Sequence, residues 1–219
     1  NDKYTEYLGD IHLSARHLLE IINEVLDMSK IEAGRVELDE EFFDIGHLIL
    51  SVLRMMDSRA FSSGLNLVHE LEDSLPAFFA DPRLVRQILI NLIGNAVKYS
   101  QTNGLIKVSA FVSPKGDLVV VVEDDGVGIP ESRIKEALEP FGQVNKPADA
   151  STVDGTGLGL PLAKAMTELH NGVLKLESDV GEGTKVTITF PGDRLKKNSD
   201  KSKQSPLAAF EKTPLSSEL

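Results

Sequence analysis

The chain contains no cysteine, so it has no disulfide frame, no thiol nucleophile and no cysteine-built zinc site. That fits a reducing compartment. It also lacks any apolar run of the roughly 18 residues that a membrane-spanning helix needs, and no secretory leader opens it. Positive charge is not in excess. The net charge is −11, which argues against non-specific binding to nucleic acid or to an anionic membrane surface. No internal repeat is visible. What is present is a 219-residue chain with a hydrophobic fraction of 41% and a charged fraction of 26%, the balance of a soluble globular protein. That length allows one or two domains and a sizeable core. The chain reads as beginning mid-element, as expected of a piece of a longer protein.

From about residue 5 to residue 33 the period is helical. Leu8, Ile11, Ala15, Leu18, Ile22 and Val25 step by alternating three and four, forming an a/d seam, and Leu19 and Leu26 widen it. Such a helix can face more than one neighbour, as in a four-helix bundle. Gly34 is placed to end it. A second helix is expected from a cap at Asp44 to about Ala60, then a short strand over residues 65–71. Asp81-Pro82 caps and opens a third helix. Two strands over 105–112 and 118–123 follow, joined by a turn of Pro and Gly chemistry at 113–117. The second, Leu118-Val-Val-Val-Val122, is apolar throughout and should be central and covered. A short helix over 131–138, a long aperiodic stretch over 141–156, a helix to about residue 170 and a closing hairpin (173–178 and 184–190) complete the pattern. From residue 193 the composition turns Lys/Ser/Pro-rich, and that tail is expected to be disordered.

The third helix carries the first chemical signal. Leu84, Ile88, Leu89, Leu92, Ile93, Ala96 and Val97 make it apolar around most of its circumference, which demands burial on most sides. Yet Asn91, Asn95, Lys98 and Tyr99 recur along one stripe. Asparagine carbonyls suit a hard cation such as Mg²⁺, lysine suits phosphate as a point charge, and a tyrosine ring can stack on a flat base. The alternative is that the two amides bond to each other or to nearby backbone.

Two glycine-rich segments lie downstream. Asp124-Asp-Gly126-Val-Gly128-Ile129-Pro follows the buried strand, where a carboxylate can accept from an adenine amino group while glycines admit the base closely. Taken alone, Asp-Gly pairs also mark ordinary turns. Gly155-Thr156-Gly157-Leu158-Gly159-Leu160 opens a helix, and free N–H groups at a helix N-terminus favour phosphate. It is neither a Walker loop nor a dinucleotide fingerprint, because no Gly-Lys-Ser/Thr follows and no strand precedes it.

Together with Glu139-Pro-Phe141-Gly-Gln143 and Gly181-Glu-Gly-Thr184, these segments resemble the N box, glycine boxes and F box of the sensor histidine kinases. The likeness spans about residues 37–191. It implies an α+β fold of the Bergerat ATP-binding type, a two-layer α/β sandwich with a mixed sheet and helices on one face, preceded by a long bundle-forming helix. By that resemblance Asn95 is the Mg²⁺ ligand, Asn91 lies in the metal and phosphate shell, and Lys98 meets phosphate. Tyr99 flanks adenine and Asp124 bonds its amino group, with Gly126, Gly128 and Ile129 beside the base. Phe141 and the segment to residue 154 form a mobile lid. Gly155, Thr156, Gly157, Leu158, Gly159, Leu160 and Thr184 complete the ATP site.

The same resemblance divides the chain into residues 1–35, the second helix of a dimerisation and phosphotransfer hairpin, residues 36–192, the catalytic domain, and the tail 193–219. It implies a cytoplasmic kinase part that uses ATP and Mg²⁺, a homodimer through the helical bundle, and a response-regulator receiver domain as partner. No nucleic acid and no direct membrane contact are expected. A regulatory module that holds nucleotide without transferring phosphate is the alternative. Type II topoisomerases, mismatch-repair proteins and heat-shock chaperones share the Asn95 and Asp124 features but place a glutamate where this chain has Asn91. An amide cannot take a proton from water at neutral pH, so hydrolysis is not expected as the main activity. The family's acceptor box also finds no match. His12 is followed by Leu-Ser-Ala-Arg-His, without the acid or the proline, and His12, His17, His47, His69 and His170 read as surface or packing residues. Residues 1–219 incubated alone with radiolabelled ATP are therefore expected to gain no acid-labile phosphohistidine. Stoichiometric label on His12 would contradict that reading.

Overall fold

The structure, a computed structural model, describes residues 2–144 and 156–196. Its first element, α1 (Asp2–Glu32), ends at Gly34, which adopts a left-handed φ of 63°. The Gly34 N–H donates to the Ile31 carbonyl and the Arg35 N–H to the Lys30 carbonyl, both at 2.9 Å, a Schellman stop that only a residue at ease with positive φ supports cheaply. β1 (Glu41–Phe43) follows, and Asp44 caps α2 (Ile45–Ser62) by accepting from the His47 N–H at 2.9 Å. The chain then runs through β2 (Asn66–Leu71), β3 (Phe78–Ala80), α3 (Pro82–Tyr99), β4 (Leu105–Val112) and β5 (Leu118–Asp124). After a one-turn helix α4 (Ile134–Ala137) come α5 (Gly159–Leu169), β6 (Val173–Asp179) and β7 (Gly183–Phe190).

The main sheet has the strand order β2-β4-β5-β7-β6. β2 and β4 are parallel, with α3 as the crossover between them, and the remaining pairs are antiparallel. This is the mixed sheet expected, with β5 at its centre and Leu118 to Val122 buried without a break. Alternate residues of the other strands (Ile106, Val108 and Ala110; Val186, Ile188 and Phe190) turn toward α2, α3 and α5, which pack on that face. No helix among the described residues is long and apolar enough to cross a membrane.

Two features depart from the sequence reading. β1 and β3 form a separate antiparallel pair in which Phe42 lies opposite Phe79 and Phe43 opposite Phe78. Strands of three residues show no alternation, so their pattern was invisible; their phenylalanines reach the core through the Phe78–Phe190 contact at 4.8 Å. The fold also continues past residue 192. Gly192–Arg194 make a 3₁₀ turn, Leu195 is buried and bridges to Phe78, and Arg194 pairs with Glu40 and donates to the Phe79 carbonyl at 3.0 Å. Residues 197–219, the rest of the expected disordered tail, lie outside the described residues.

Asp81 joins these parts. It is fully buried, and its carboxylate accepts from the backbone N–H groups of Asp39 (3.1 Å), Arg83 (2.9 Å) and Leu84 (3.4 Å) and pairs with the Arg83 guanidinium at 2.8 Å. Its own N–H donates to His170 Nε2 at 3.1 Å, so the proton of that ring sits on Nδ1 and donates to the Met166 carbonyl at 2.8 Å. His170 is thus a core residue that links α3 to α5, kept neutral by burial, which lowers its pKa. Asp81→Ala leaves three N–H groups without their acceptor and should cost about 3 kcal/mol in urea denaturation. Asp81→Asn keeps an acceptor for the Arg83 and Leu84 N–H groups but sets an amide donor against the Asp39 N–H, so it should recover only part of that loss. Near-equal losses would place the effect in packing instead of capping.

Candidate functional site

The burial that fixes α3 leaves one stripe of it facing a cavity of about 440 Å³. Asn91, Asn95, Lys98 and Tyr99 all line it, as their spacing required. The Asn91 amide donates to the Gly159 carbonyl at 3.2 Å and accepts from Gln87 Nε2 at 3.0 Å, so the backbone-bonding alternative holds for this residue. A Cβ on Gly159 would lie 3.5 Å from Asn95 Nδ2, which places the glycine turn directly against the second amide. The Lys98 ammonium sits 4.9 Å from the centre of the Tyr99 ring, a cation–π contact at the cavity edge.

Asp124 stands at the end of β5, opposite Thr184 of β7. Its carboxylate accepts the Gly126 N–H at 2.9 Å, and the Thr184 N–H also points to it. The loop that follows is held by close approach. A Cβ on Gly126 would come within 2.5 Å of the Tyr99 carbonyl, and Gly128, at φ 67°, has the Asp179 carbonyl where a side chain would start. Ser178 Oγ accepts the Ile129 N–H at 2.8 Å and donates to the Gly183 carbonyl at 2.6 Å, fastening this loop to the hairpin. Ser178 lies just outside the last glycine motif, and no spacing pointed to it.

On the opposite wall the Thr156–Leu160 turn opens α5, with the Leu158 N–H donating to Thr156 Oγ1 at 3.1 Å. Thr156, Gly157, Gly159 and Leu160 line the cavity, as do Gly128, Ile129 and Thr184. Three expected residues do not. Leu158 is fully buried as the core anchor of the turn, Gly126 supports the loop from behind, and Phe141 is 63% exposed at a left-handed φ of 64°. Gly155 and residues 145–154 of the expected lid lie outside the described residues. The sequence reading also missed Arg59 on α2 and Ile21 and Glu24 on α1, because their elements lie far from the motifs in the chain. Lys98 and Arg59 are the cationic residues among those lining the cavity, and Glu24 and Asp124 the anionic ones.

A concave site with two amides on one helix face, a carboxylate beside a glycine loop and a second glycine turn at a helix N-terminus defines an ATPase module of histidine-kinase type. The model of the histidine kinase-, DNA gyrase B- and HSP90-like ATPases matches residues 80–194, and the chain belongs to this family. It is 37% identical over 202 residues to the cell-division control histidine kinase PdhS of Brucella anthropi, covering 89% of this chain and 19% of that protein. The PdhS of Brucella suis is 36% identical over the same length. The chain spans about a fifth of the length of the curated relatives it matches. Among solved structures, full-length ShkA in complex with AMPPNP superposes with a TM-score of 0.75 at 28% identity, over 85% of this chain and 38% of that one. The Acinetobacter baumannii histidine kinase AdeS, at 24% identity and a TM-score of 0.69 over 84% of this chain and 82% of its own, shares the fold. The fold is the Bergerat type that the motifs implied.

Burial pushes the Asp124 carboxyl up to about 6, with the neighbouring charges of Asp125 and Glu123 adding to the rise and the Gly126 and Thr184 N–H groups opposing it. The folded chain therefore keeps a proton here that the unfolded chain releases near pH 4. The stabilisation is full below that pH and is lost as pH rises through about 6. Asp124→Asn should abolish this loss, gaining about 1–2 kcal/mol over wild type at pH 7 relative to pH 4, a value reduced by solvent screening at this half-buried site. Urea denaturation of both proteins at the two pH values measures the difference, and parallel pH profiles would contradict the assignment.

Proposed function

We propose that this chain binds ATP with Mg²⁺ and donates the γ-phosphoryl group to a histidine on a dimerisation helix, for relay to an aspartate of a response regulator. The observation that carries the reading is convergence. The amide stripe of α3, the Asp124 carboxylate and the glycine turn of α5 come from separated parts of the chain, and all border one cavity. Asp124 accepts from the adenine amino group, and the close-packed Gly126–Gly128 backbone admits the flat base. Tyr99 flanks the base. Lys98 and the N-terminal end of α5 at the Gly157–Leu160 turn meet the phosphates, where a helix terminus favours negative charge.

The donor set fits a hard divalent cation, since the Asn95 carboxamide lies on the cavity wall beside the turn that would hold the phosphates. Asn95 would be its protein ligand, with Asn91 beside it. The ion would supply charge neutralisation on the phosphate oxygens. The protein's own part is positioning: as the bond from the γ-phosphorus to its bridging oxygen breaks, a phosphorus–nitrogen bond forms to the acceptor imidazole, and ADP leaves. Hydrolysis as the main activity is disfavoured, because Asn91 stands where a general base would be and its amide already serves Gln87 and Gly159.

Residues 1–35 would be the second helix of the dimerisation and phosphotransfer hairpin, and residues 36–192 the catalytic domain, in a cytoplasmic homodimer. The seam of Leu8, Ile11, Leu18 and Ile22 is largely exposed, which supports a bundle role for that face. Calorimetry with Asn95→Ala tests the site. The variant should lose most of the Mg²⁺-dependent part of the ATP affinity, a drop of about ten-fold or more, while melting near wild type. GTP, with a carbonyl where ATP has the amino group, should bind poorly to wild type. Equal ATP affinity in both proteins, with and without Mg²⁺, would overturn the assignment.

A further inference from the structure

The cavity has a wall that the ATPase fold does not supply. Ile21 and Glu24 of α1 line it, and Glu24 Oε2 accepts a hydrogen bond from Thr156 Oγ1 at 2.5 Å, joining residues 132 positions apart. The contact has a hydrophobic base. Met28 and Ile31 of the same helix pack partly buried on the core, so Ile21, Glu24, Met28 and Ile31 form one stripe at three- and four-residue steps. This stripe is distinct from the exposed seam of Leu8, Ile11, Leu18 and Ile22. Glu24 is thus the polar member of the face by which α1 docks on α5.

The position of that carboxylate matters. Thr156 begins the turn whose N–H groups and helix end form the anion-binding part of the site, and its hydroxyl carries one proton. That proton can go to Glu24 or to a phosphate oxygen, but not to both. A carboxylate beside a polyanion in a cavity with two cationic residues adds direct repulsion. Resting on the reading that this cavity takes ATP, we propose that Glu24 is an intramolecular competitor for the phosphate end. It holds α1 on the catalytic unit when nucleotide is absent, and the triphosphate displaces it. By linkage the effect is reciprocal: nucleotide weakens α1 docking by the factor by which docking weakens nucleotide.

Two measurements test this. Calorimetry compares wild type, Glu24→Gln and Glu24→Ala with ATP in Mg²⁺, ATP in EDTA, and adenosine. Glu24→Ala should bind ATP about five-fold more tightly or better in both conditions, the lower end of coupling between sites. Glu24→Gln should gain less, because its amide oxygen still accepts, and adenosine affinity should not change. Equal ATP affinity in all three proteins would overturn the proposal alone. A loss confined to the Mg²⁺ condition would overturn it by making Glu24 a metal ligand. No ATP binding by any of them would overturn the parent reading and this one together. The absence of cysteine allows a second readout, with spin labels at Asn23→Cys on α1 and Glu168→Cys on α5. Saturating ATP should widen that distance, and an unchanged distance would overturn the proposal.

Discussion

The molecule is built around the burial of α3. Ile88, Leu89, Leu92 and Ile93 are almost fully enclosed, and each is worth about 1.5–3 kcal/mol removed from water. A helix apolar on so many sides needs neighbours on as many sides, and α2, α5 and the sheet supply them. The side left over is the amide stripe. The position of the site is therefore a consequence of packing: along this stripe only the Gly159 turn reaches the amides, and the space beside it is the cavity. Asp81 and His170 then tie the start of this helix to the end of α5. The same two helices carry the amides and the glycine turn, so a bond inside the core joins the two elements that border the cavity.

Much of this was legible in the chain. The caps at Asp44 and Asp81, the stop at Gly34, the central place of Leu118–Val122 and the antiparallel hairpins all follow from local chemistry whose signals lie within a few residues of each other. The amide stripe was legible for the same reason, since helical spacing converts sequence into a face. What was not legible depends on contacts between distant segments. The pairing of Phe42 with Phe79 joins residues with no periodic signature, and the burial of Leu195 depends on Phe78, far back in the chain. His170 looked bland because nothing local marks a histidine whose partner is the N–H of Asp81. Leu158 and Phe141 belong to motifs without facing the cavity, one as a buried anchor and the other turned to solvent. A motif shared with a family locates a site; only packing decides which of its letters touch the cavity.

The distribution of charge gives the site its character. In a chain of net charge −11, a cavity bordered by Lys98 and Arg59 is a local exception. Asp124 and Glu24 are the acidic residues at the same cavity, and they serve different ends. Asp124 is partly desolvated at the end of β5, and Glu24 is brought in by α1 against Thr156 at the start of the glycine turn. The long helix therefore has two faces with separate tasks, an exposed seam suited to a bundle and a docking stripe that reaches the site.

The central claim is that the α3 stripe, the Asp124 loop and the α5 turn form one nucleotide site. Amide NMR of the chain titrated with Mg²⁺ and a non-hydrolysable ATP analogue tests it most directly. A single site requires the largest shifts at Asn91–Tyr99, Asp124–Ile129 and Thr156–Leu160 together, saturating at a single concentration. Shifts centred on the open face of the sheet, at Phe111, Val173 and Lys175, or separate saturation of the three segments, would contradict it.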